Sequence, residues 1–475
     1  MLPDRRVVFL LMDGARPDVF EDLVAAGELP HIGRWILDRG AAVPATTVFP
    51  STTGVAYLPM LTGCYPGTCN VPGIRWVDTA RYAGSWWRDR HHVRSYCGYQ
   101  GGLLNDDIPG DMPTLFDLVP DAVALCTPFT RGLAAGNARL GLARQIWGGL
   151  AHYTEGYGIL ERAVGAELCR LAPDRHRLVF AVLPGVDGVT HFHDPWHPAV
   201  CDMYRGVDRL VGEYGAAGGI DDETLVLLVS DHGLGRIDRH TDLSLELEAR
   251  GVATMRHPFV WRRHPRVAVM VSGNASAQIY LAPGELRGDR YTIERIETGA
   301  VPGVPADIVA FLTQLPGVAM VVARAEAGLA CVSRAGRALL YQADGGRIGY
   351  RPQPIDVLAL GGAGEYSGHE WLARSIDLPY PDAPEQLMQL AWSGRVGDLV
   401  VIAEPGADLR RRWEVPEHRS GHGSLIKEHM RCLIAANTPL TGPVRTTDLF
   451  PLMLDHLGIP VPDGIDGSLP HRGAS

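Results

Sequence analysis

The stretch RVVFLLMDG, residues 6–14, contains six consecutive apolar residues that stop at Asp13. A continuous apolar run of this length is typical of a strand buried on both faces, as in a parallel sheet covered by helices. The run is too short to span a bilayer, and no small-residue cleavage site of a signal peptide follows it. We therefore expect an internal strand and a cytoplasmic protein without a membrane partner.

Similar apolar runs recur along the chain and predict further strands. They lie at 122–129, 177–185, 223–233 and 431–437, and a helical pattern covers 154–172. Alternation of buried strands with helices indicates an α/β fold with a mainly parallel central sheet flanked by helices.

The middle of the chain has a different pattern. Strand-like segments at 267–281 and 317–334 have shorter connections, with frequent Gly and Pro. We predict that residues 1–235 form the first part of a catalytic core, 236–416 an inserted α+β cap region, and 417–475 the last part of the core.

Composition narrows the class of protein. The chain has 475 residues, of which 46% are hydrophobic and 21% charged, with a net charge of −10. These values are typical of a soluble globular protein and argue against non-specific binding of nucleic acid. An anionic substrate would need local positive charge, from a metal or a few arginines. The eight cysteines lack the spacing of a zinc knuckle, and we expect reduced, mostly buried thiols.

Asp and His side chains occur in four short segments, at the end of predicted strands or in Gly-rich turns. Each segment alone also fits a turn, a cap or a hydrogen-bonded pair. In open α/β sheets, however, ligands bind at the carboxyl ends of the strands. The candidates are Asp13 in MDGARPD, Asp187 and His191 in LPGVDGVTHFH, Asp231 and His232 in LLVSDHG, and His422 in HRSGHGS.

Three Asp and three His side chains are enough to build two adjacent metal sites. Mixed oxygen and nitrogen ligands suit Zn²⁺, with Mn²⁺ or Fe as alternatives and Mg²⁺ less natural. Two metals about 3.5–4 Å apart form a clamp for displacement at phosphorus.

The segment VFPSTTGVAYLPMLTGCYPG, residues 48–67, has several hydroxyl side chains and no charged residue. A Thr hydroxyl is a poor nucleophile at neutral pH, and coordination to a metal is one way to activate it. The same residues also fit the start of a helix capped by Ser51 or Thr52.

Taken in order, these motifs resemble the alkaline phosphatase superfamily, and within it the nucleotide pyrophosphatase/type I phosphodiesterase branch. The segments DGARPDVF, LTGCYPG and TTDLFPLMLDHLGIPVPDGIDGSLP carry the resemblance, together with the Asp and His motifs. It implies one metal bound by Asp187, His191 and His422, and a second bound by Asp13, Thr53, Asp231 and His232.

The resemblance also implies a nucleophile. Counting back from Thr62-Gly63 gives Thr53, with Thr52 and Ser51 as neighbouring alternatives. The Asn that holds a phosphate oxygen in this branch has no clear equivalent, so Asn70 and Arg75 are the candidate substrate contacts, or neither fills this role. The aromatic and Arg-rich stretch 84–102 is either a surface for the leaving group or a packed surface loop.

We therefore expect a metal-dependent phosphodiesterase that hydrolyses a small-molecule phosphate diester or pyrophosphate through a phosphothreonine intermediate, with two divalent metal ions. A phosphomonoesterase and a phosphonate hydrolase with the same metal site are the alternatives. The DGAR start disfavours a phosphoglycerate-type mutase, and the sequence around Thr53 disfavours a sulfatase. A non-enzymatic, metal-stabilised binding protein is also disfavoured, because all seven inferred positions are present.

Overall fold

The computed structural model describes residues 5–262, 264–410 and 417–471. In these residues a seven-stranded sheet lies at the centre of the fold. Its strands, in spatial order, are Ala41–Ala42, Ile434–Ala436, Thr224–Val229, Arg6–Met12, Leu178–Leu183, Ala122–Leu125 and Ala138–Arg139. This sheet confirms the strands that the sequence predicted for the core.

The strand Arg6–Met12 is buried along its whole length and lies in the middle of this sheet. It pairs in parallel with Leu178–Leu183 on one side and with Thr224–Val229 on the other. Phe9 stacks on Phe180 of the neighbouring strand, with ring centroids 5.0 Å apart. Ile434–Ala436 joins in the antiparallel direction, so the sheet is mainly, not entirely, parallel.

Helices flank the sheet, as expected. The helix predicted over 154–172 spans Tyr157–Leu171, and its buried side chains recur at helical spacing. The other α-helices are Pro17–Ala25, Pro30–Ile32, Leu58–Thr62, Trp86–Asp89, Leu104–Asp107, Leu115–Leu118, Gly141–Ala143, Gly149–Thr154, Gly185–Thr190, Pro198–Ala216, Leu243–Ala249, Ile293–Glu297, Ile308–Gln314, Gly368–Ser375, Ala383–Leu390, Lys427–Met430 and Leu449–Leu457. Short 3₁₀ or π turns are Gly33–Leu37, Val55–Tyr57, Arg90–His92, Gly98–Leu103, Arg144–Gly148, Ala172–Asp174, Asp344–Gly346 and Thr446–Asp448.

A second sheet is formed by residues between 254 and 403, inside the predicted cap region. Among the described residues it has nine strands, paired mostly antiparallel. In spatial order they are Thr254–Arg256, Val267–Ser272, Ser276–Leu281, Leu399–Ala403, Val318–Ala325, Gly328–Val332, Arg337–Gln342, Ile348–Gln353 and Gly364–Tyr366. The domain borders remain a prediction, and the border at 416 falls in residues 411–416, outside the described residues.

The two faces of this second sheet pack into different hydrophobic clusters. Val321 and Val401 belong to one cluster, whereas Val322 and Val400 belong to the other. Successive side chains of a strand point to opposite faces of the sheet. Strands with consecutive apolar residues therefore present an apolar surface on both faces, and both faces are buried.

Small two-stranded sheets connect distant parts of the chain. Gly235–Arg236 pairs with Ser420–Gly421, and Asn274 forms a bridge to His422. These contacts bring the C-terminal Gly-His-Gly segment to the carboxyl edge of the central sheet. The other pairs are Arg239–His240 with Ala407–Asp408, Ala45–Thr46 with Val444–Arg445, and Arg75–Val77 with Val93–Ser95.

The eight cysteines are all free thiols, as expected, and five of them are buried. Among the described residues, no helix has the length and apolar character needed to cross a bilayer.

Candidate active site

Three carboxylates follow the three central strands of the main sheet and meet at its carboxyl edge. Asp13, Asp187 and Asp231 are linked through the main chain around Asp13. The Asp13 N–H donates to the Leu183 carbonyl (3.0 Å), and the Asp187 N–H donates to the Asp13 carbonyl (2.9 Å). The Gly14 N–H donates to Asp231 Oδ1 (3.1 Å). Parallel strand order thus brings together residues that are far apart in sequence.

Asp187, His191 and His422 form a first group of candidate ligands. Asp187 Oδ2 lies 3.3 Å from His191 Nε2, and Asp187 Oδ1 lies 3.8 Å from His422 Nε2. His191 Nδ1 lies 2.9 Å from the Ser420 carbonyl, and His422 Nδ1 lies 3.1 Å from the Ser51 carbonyl. A carbonyl can only accept, so each ring carries a proton on Nδ1, and Nε2 is the ring atom that faces Asp187.

The second group contains Asp13, Thr53, Asp231 and His232. Thr53 Oγ1 lies 3.3 Å from Asp13 Oδ1 and 2.9 Å from His232 Nε2. Asp231 Oδ2 lies 3.3 Å from His232 Nε2. The His232 ring is held by the Gly233 carbonyl, which lies 3.1 Å from Nδ1. All four predicted residues therefore lie together.

The donor set fits divalent cations. Two sets of donor atoms each lie within 4.8 Å of one another: Asp187, His191 and His422, and Asp13, Asp187 and His232. Asp187 Oδ1 and Asp231 Oδ2 are buried and have no hydrogen-bond partner in the described chain. A buried carboxylate oxygen without a donor is costly, and a bound cation removes that cost.

Electrostatics at the three carboxylates lead to the same conclusion. Burial and the negative charge of Asp187 raise the pKa of Asp13 to about 7. Burial and the charge of Asp13 raise the pKa of Asp231 well above its usual range. Burial also acts upward on Asp187, but the neighbouring His191 outweighs it and lowers the pKa of Asp187. Without added positive charge, the cluster does not hold three ionised carboxylates at neutral pH.

Two of the three ligand histidines are neutral near pH 7. Burial lowers the pKa of His232 to about 4, and burial with the proximity of His232 lowers that of His422 well below its usual range. For His191, burial acts downward, but the carboxylate of Asp187 raises the pKa overall. Neutral imidazole is the form that binds metals.

The Thr-rich segment places one hydroxyl among the ligands. Thr53 precedes the short turn Val55–Tyr57, and its Oγ1 makes the contacts given above. Ser51 Oγ donates to the Ser424 carbonyl (2.8 Å), and Thr52 Oγ1 is buried without a partner in the described chain. Neither side chain caps the turn, so the helix-cap interpretation of this segment is wrong. The nucleophilic role of Thr53 stays a prediction.

Two tyrosines support the site, and the sequence analysis did not identify either of them as part of it. Tyr57 is buried and its hydroxyl donates to Asp13 Oδ2 (2.8 Å). Burial and the charge of Asp13 raise the pKa of Tyr57, so it remains a donor. The ring of Tyr157 lies so close to Gly188 that a Cβ there would be 2.2 Å from it. Gly188 thus lets this ring approach the helix that carries Asp187.

The ligands lie at one end of a cavity of about 1790 Å³. Its lining also includes residues of the continuous helical stretch 141–154, which we name the helical wall. Gly273 and Asn274 of the second sheet region also line it. The volume greatly exceeds a phosphoryl group and leaves room for substantial substituents.

Both candidate substrate contacts have hydrogen-bond partners within the protein in this conformation. The Asn70 amide oxygen accepts a hydrogen bond from Ser393 Oγ (2.9 Å), and Asn70 is not among the described residues that line the cavity. Arg75 does line it, but its Nη1 donates to the Val271 carbonyl (3.1 Å) and its Nη2 to Cys97 Sγ (3.2 Å). Their roles in substrate binding stay predictions.

Some side chains of the aromatic stretch 84–102 lie on the surface, and others line the cavity. Trp87 is 68% exposed, with the Arg90 guanidinium 5.5 Å from its ring centroid. Tyr96 lines the cavity, but its hydroxyl donates to Asp107 (3.0 Å), which also accepts from Arg94 (2.8 Å). The side chains of Trp86 and Tyr99 lie outside the description. The segment is thus partly a packed loop and partly a cavity wall.

The structure adds cavity residues that the sequence analysis did not single out. His418 stacks on His191 with ring centroids 4.0 Å apart, and its Nδ1 lies 3.0 Å from Asn274 Nδ2. His418 stands in the quoted HRSGHGS segment, which was the available signal. Arg144, in the helical wall, lines the same cavity and had no signal in the sequence.

An open, mainly parallel sheet with clustered Asp and His at its carboxyl edge defines an alkaline-phosphatase-like α/β protein. The sequence profile of the type I phosphodiesterase/nucleotide pyrophosphatase family matches residues 7–295, which is more than half of the chain. The chain therefore belongs to this family, and the expected resemblance is confirmed. No curated protein sequence gives a match.

Solved structures of similar fold cover almost the whole chain. Phosphonoacetate hydrolase from Sinorhizobium meliloti 1021, in complex with phosphonoacetate, has a TM-score of 0.57 at 16% identity, covering 96% of each chain. Murine ectonucleotide pyrophosphatase/phosphodiesterase 5 has a TM-score of 0.56 at 13% identity, covering 98% of each chain. The human protein of the same name has a TM-score of 0.59 at 12% identity, covering 98% of this chain and 97% of the other. These likenesses confirm the fold.

Proposed function

We propose that the protein is a two-metal hydrolase of phosphate diesters or pyrophosphates that works through a phosphothreonine at Thr53. The observation that supports it is the position of Thr53 Oγ1, 2.9 Å from His232 Nε2 and 3.3 Å from Asp13 Oδ1. No other hydroxyl of the segment 51–53 has such contacts in the described chain.

Asp187, His191 and His422 would hold one divalent cation, and Asp13, Thr53, Asp231 and His232 the other. Zn²⁺ is the proposed metal, with Mn²⁺ or Fe as alternatives, because the donors are carboxylate and imidazole. Such cations lower the pKa of a bound hydroxyl and stabilise negative charge on a phosphoryl oxygen.

The protein's own groups orient the nucleophile. Thr53 Oγ1 attacks phosphorus and forms a P–O bond, and the bond to the departing alcohol breaks. Water then cleaves the phosphothreonine and restores the Thr53 hydroxyl. Each cycle therefore consumes one water molecule and hydrolyses one ester bond of the substrate. His232 is fixed by the Gly233 carbonyl, and Tyr57 fixes Asp13. These bonds keep both neighbours of Thr53 in one rotamer during attack.

A diester is the proposed substrate class because the chain segment that carries the nucleophile has no cationic side chain. From residue 43 to residue 74 the chain has no Arg or Lys, and the Arg75 guanidinium is engaged elsewhere. A phosphomonoester is a dianion near neutral pH and needs more positive charge at the phosphoryl group.

A phosphonate hydrolase is the second candidate. The structure of phosphonoacetate hydrolase shares the fold over 96% of the chain and is named for such a substrate. The same metal ligands would serve a phosphonate hydrolase. The two candidate functions are therefore distinguished by which substrate the enzyme turns over.

The experiment is a turnover screen of 4-nitrophenyl diesters and monoesters and of phosphonoacetate, with Zn²⁺ or Mn²⁺ added. The proposal expects the diester to have the highest kcat/KM, and mass spectrometry of the acid-quenched enzyme to find on Thr53 the phosphoryl group that still carries the second ester substituent. Turnover that survives complete metal removal, or such a group on another residue, would contradict it. The cytoplasmic location remains a prediction, to be checked by cell fractionation.

A further inference from the structure

Four of the described arginines line the cavity, and three of them are already engaged. Arg75 donates to the Val271 carbonyl and to Cys97 Sγ. Arg131 donates to four main-chain carbonyls at 2.9 to 3.4 Å. Arg410 also has a partner. These three side chains each have at least one partner within the protein.

Arg144 is different. It lies in the turn Arg144–Gly148 of the helical wall, half-buried, and lines the cavity. It has no hydrogen bond or ion pair with any residue in the described ranges. Its positive charge acts on groups at the ligand end. Burial, the largest cause, raises the pKa of Asp13 and of Tyr57, and the charge of Arg144 lowers both pKa values in part.

Among the described residues, Arg144 has no anionic partner once the site is loaded. Two divalent cations would more than cancel the charge of Asp13, Asp187 and Asp231. A guanidinium on the wall of a partly enclosed cavity is costly to desolvate without an anion, and its planar fork matches a carboxylate or phosphate. The anion that pairs with Arg144 therefore comes with the substrate.

The surroundings of Arg144 suit a substituent rather than the reacting group. Ile146 and Leu150 of the helical wall line the cavity beside it, as does Tyr157, whose hydroxyl has no hydrogen bond within the described chain. Apolar side chains with a few polar groups are typical of a subsite that holds an organic substituent.

We propose that Arg144 binds a second anionic group of the substrate, a carboxylate or a phosphate on the ester substituent and not on the reacting phosphorus. The inference rests on the proposed function. It narrows the substrate class to phosphoesters that carry two separate anionic centres, and it makes Arg144 the residue that selects them.

Turnover of a matched substrate pair tests this. The pair is 4-nitrophenyl phenyl phosphate and 4-nitrophenyl 4-carboxyphenyl phosphate, which differ by one carboxylate. Wild type should favour the second, and Arg144→Gln should lower its kcat/KM about tenfold to a hundredfold, because a charge-assisted pair is lost. The phenyl ester should change less than about threefold. Arg144→Lys should restore part of the loss, and Arg162→Gln, an exposed charge outside the cavity, should leave both substrates unaffected.

Binding to the metal-loaded enzyme supplies a readout without turnover. Calorimetry would compare phenylphosphonate with 4-carboxyphenylphosphonate and with 1,4-phenylenebisphosphonate. Tighter binding of the carboxylate compound, lost in Arg144→Gln, identifies a carboxylate substituent. Tighter binding of the bisphosphonate alone identifies a phosphate. Equal affinity of wild type and Arg144→Gln for all three overturns the proposal.

Two other results have distinct meanings. If wild type turns over no diester at all, the proposed function fails, whatever Arg144 does in the binding assay. If Arg144→Gln lowers kcat/KM for 4-nitrophenyl phosphate more than for the carboxyphenyl diester, the guanidinium holds an oxygen of the reacting phosphoryl group, and the inference is wrong.

Discussion

Two parts of the cavity lining are built differently. At the ligand end, side chains follow buried strands, and His191, His232 and His422 are each held by a backbone carbonyl. The helical wall is a helical stretch with exposed apolar side chains, such as Leu142 at 69% and Leu150 at 52%. Rigid elements fix the groups that need accurate geometry, whereas the wall tolerates variation and suits recognition.

The largest effect is expected at Asp187, which belongs to both sets of donor atoms that lie within 4.8 Å of one another. Asp187→Ala removes the carboxylate close to His191 and His422, and activity should fall on the order of 10³-fold or more, with loss of bound metal. Elemental analysis measures the bound metal, and kcat/KM measures the activity. Asp174→Ala, at an exposed position, is the control. A variant that keeps its metal and its rate would show that Asp187 is no ligand.

Removing the nucleophile should separate chemistry from metal binding at the same end. Thr53→Ala is expected to abolish turnover, with metal content near that of wild type because six other ligands remain. Thr53→Ser should keep part of the activity, since the hydroxyl survives. Thr52→Ala is the matched control and should stay active. If Thr52→Ala is inactive and Thr53→Ala is active, the nucleophile is Thr52 and not Thr53.

A smaller loss is expected where a side chain only holds a ligand. Tyr57→Phe removes the hydrogen bond to Asp13 Oδ2 and should cost about 10–100-fold in metal affinity or activity. Zinc titration against a competing chelator measures it. Tyr341→Phe, which removes an exposed tyrosine hydroxyl bonded to Glu365, should behave as wild type. Unchanged metal affinity and rate in Tyr57→Phe would show that Asp13 is oriented without it.

The helical wall should respond in KM and not in stability. Leu150→Ser removes apolar surface from the cavity, and we expect KM for an aromatic diester to rise about threefold to tenfold, since part of a buried side chain's transfer free energy is lost. Leu150 is 52% exposed, so the thermal midpoint should stay close to that of wild type. Leu286→Ser, 60% exposed and outside the cavity lining, is the control. An unchanged KM would show that the helical wall does not contribute to substrate binding.

The smallest effect is expected at Arg75. Its guanidinium bonds to Val271 and Cys97, so Arg75→Ala should change the ratio of kcat/KM for a nitrophenyl diester over the matching monoester by less than about threefold. The lost hydrogen bonds should lower the free energy of unfolding by about 1 kcal/mol each. A ratio that is below one in wild type and rises in the variant would show that Arg75 selects monoesters.

Sequence patterns predicted the core well because burial on both faces leaves a continuous apolar run. The runs at 6–14 and 223–233 became the buried strands Arg6–Met12 and Thr224–Val229. The patterns failed at Arg144, which lies in a helical stretch that the sequence analysis did not predict. They also failed at Tyr157, which lies in the predicted helix but in no motif that points to the cavity. They also misjudged the cap at Ser51, whose hydroxyl goes to the distant Ser424 carbonyl.

The sequence by itself determined the α/β class, the family resemblance and the identity of the candidate ligands, because strand burial and short motifs are local properties. Only the tertiary structure decided which of these groups meet. Parallel pairing brings Asp13, Asp187 and Asp231 to one edge, and the pairing of Gly235–Arg236 with Ser420–Gly421 brings His422 to them. It also decided that Arg75 is engaged and that Arg144 has no hydrogen-bond partner among the described residues, since partners distant in sequence are fixed only when the chain is packed.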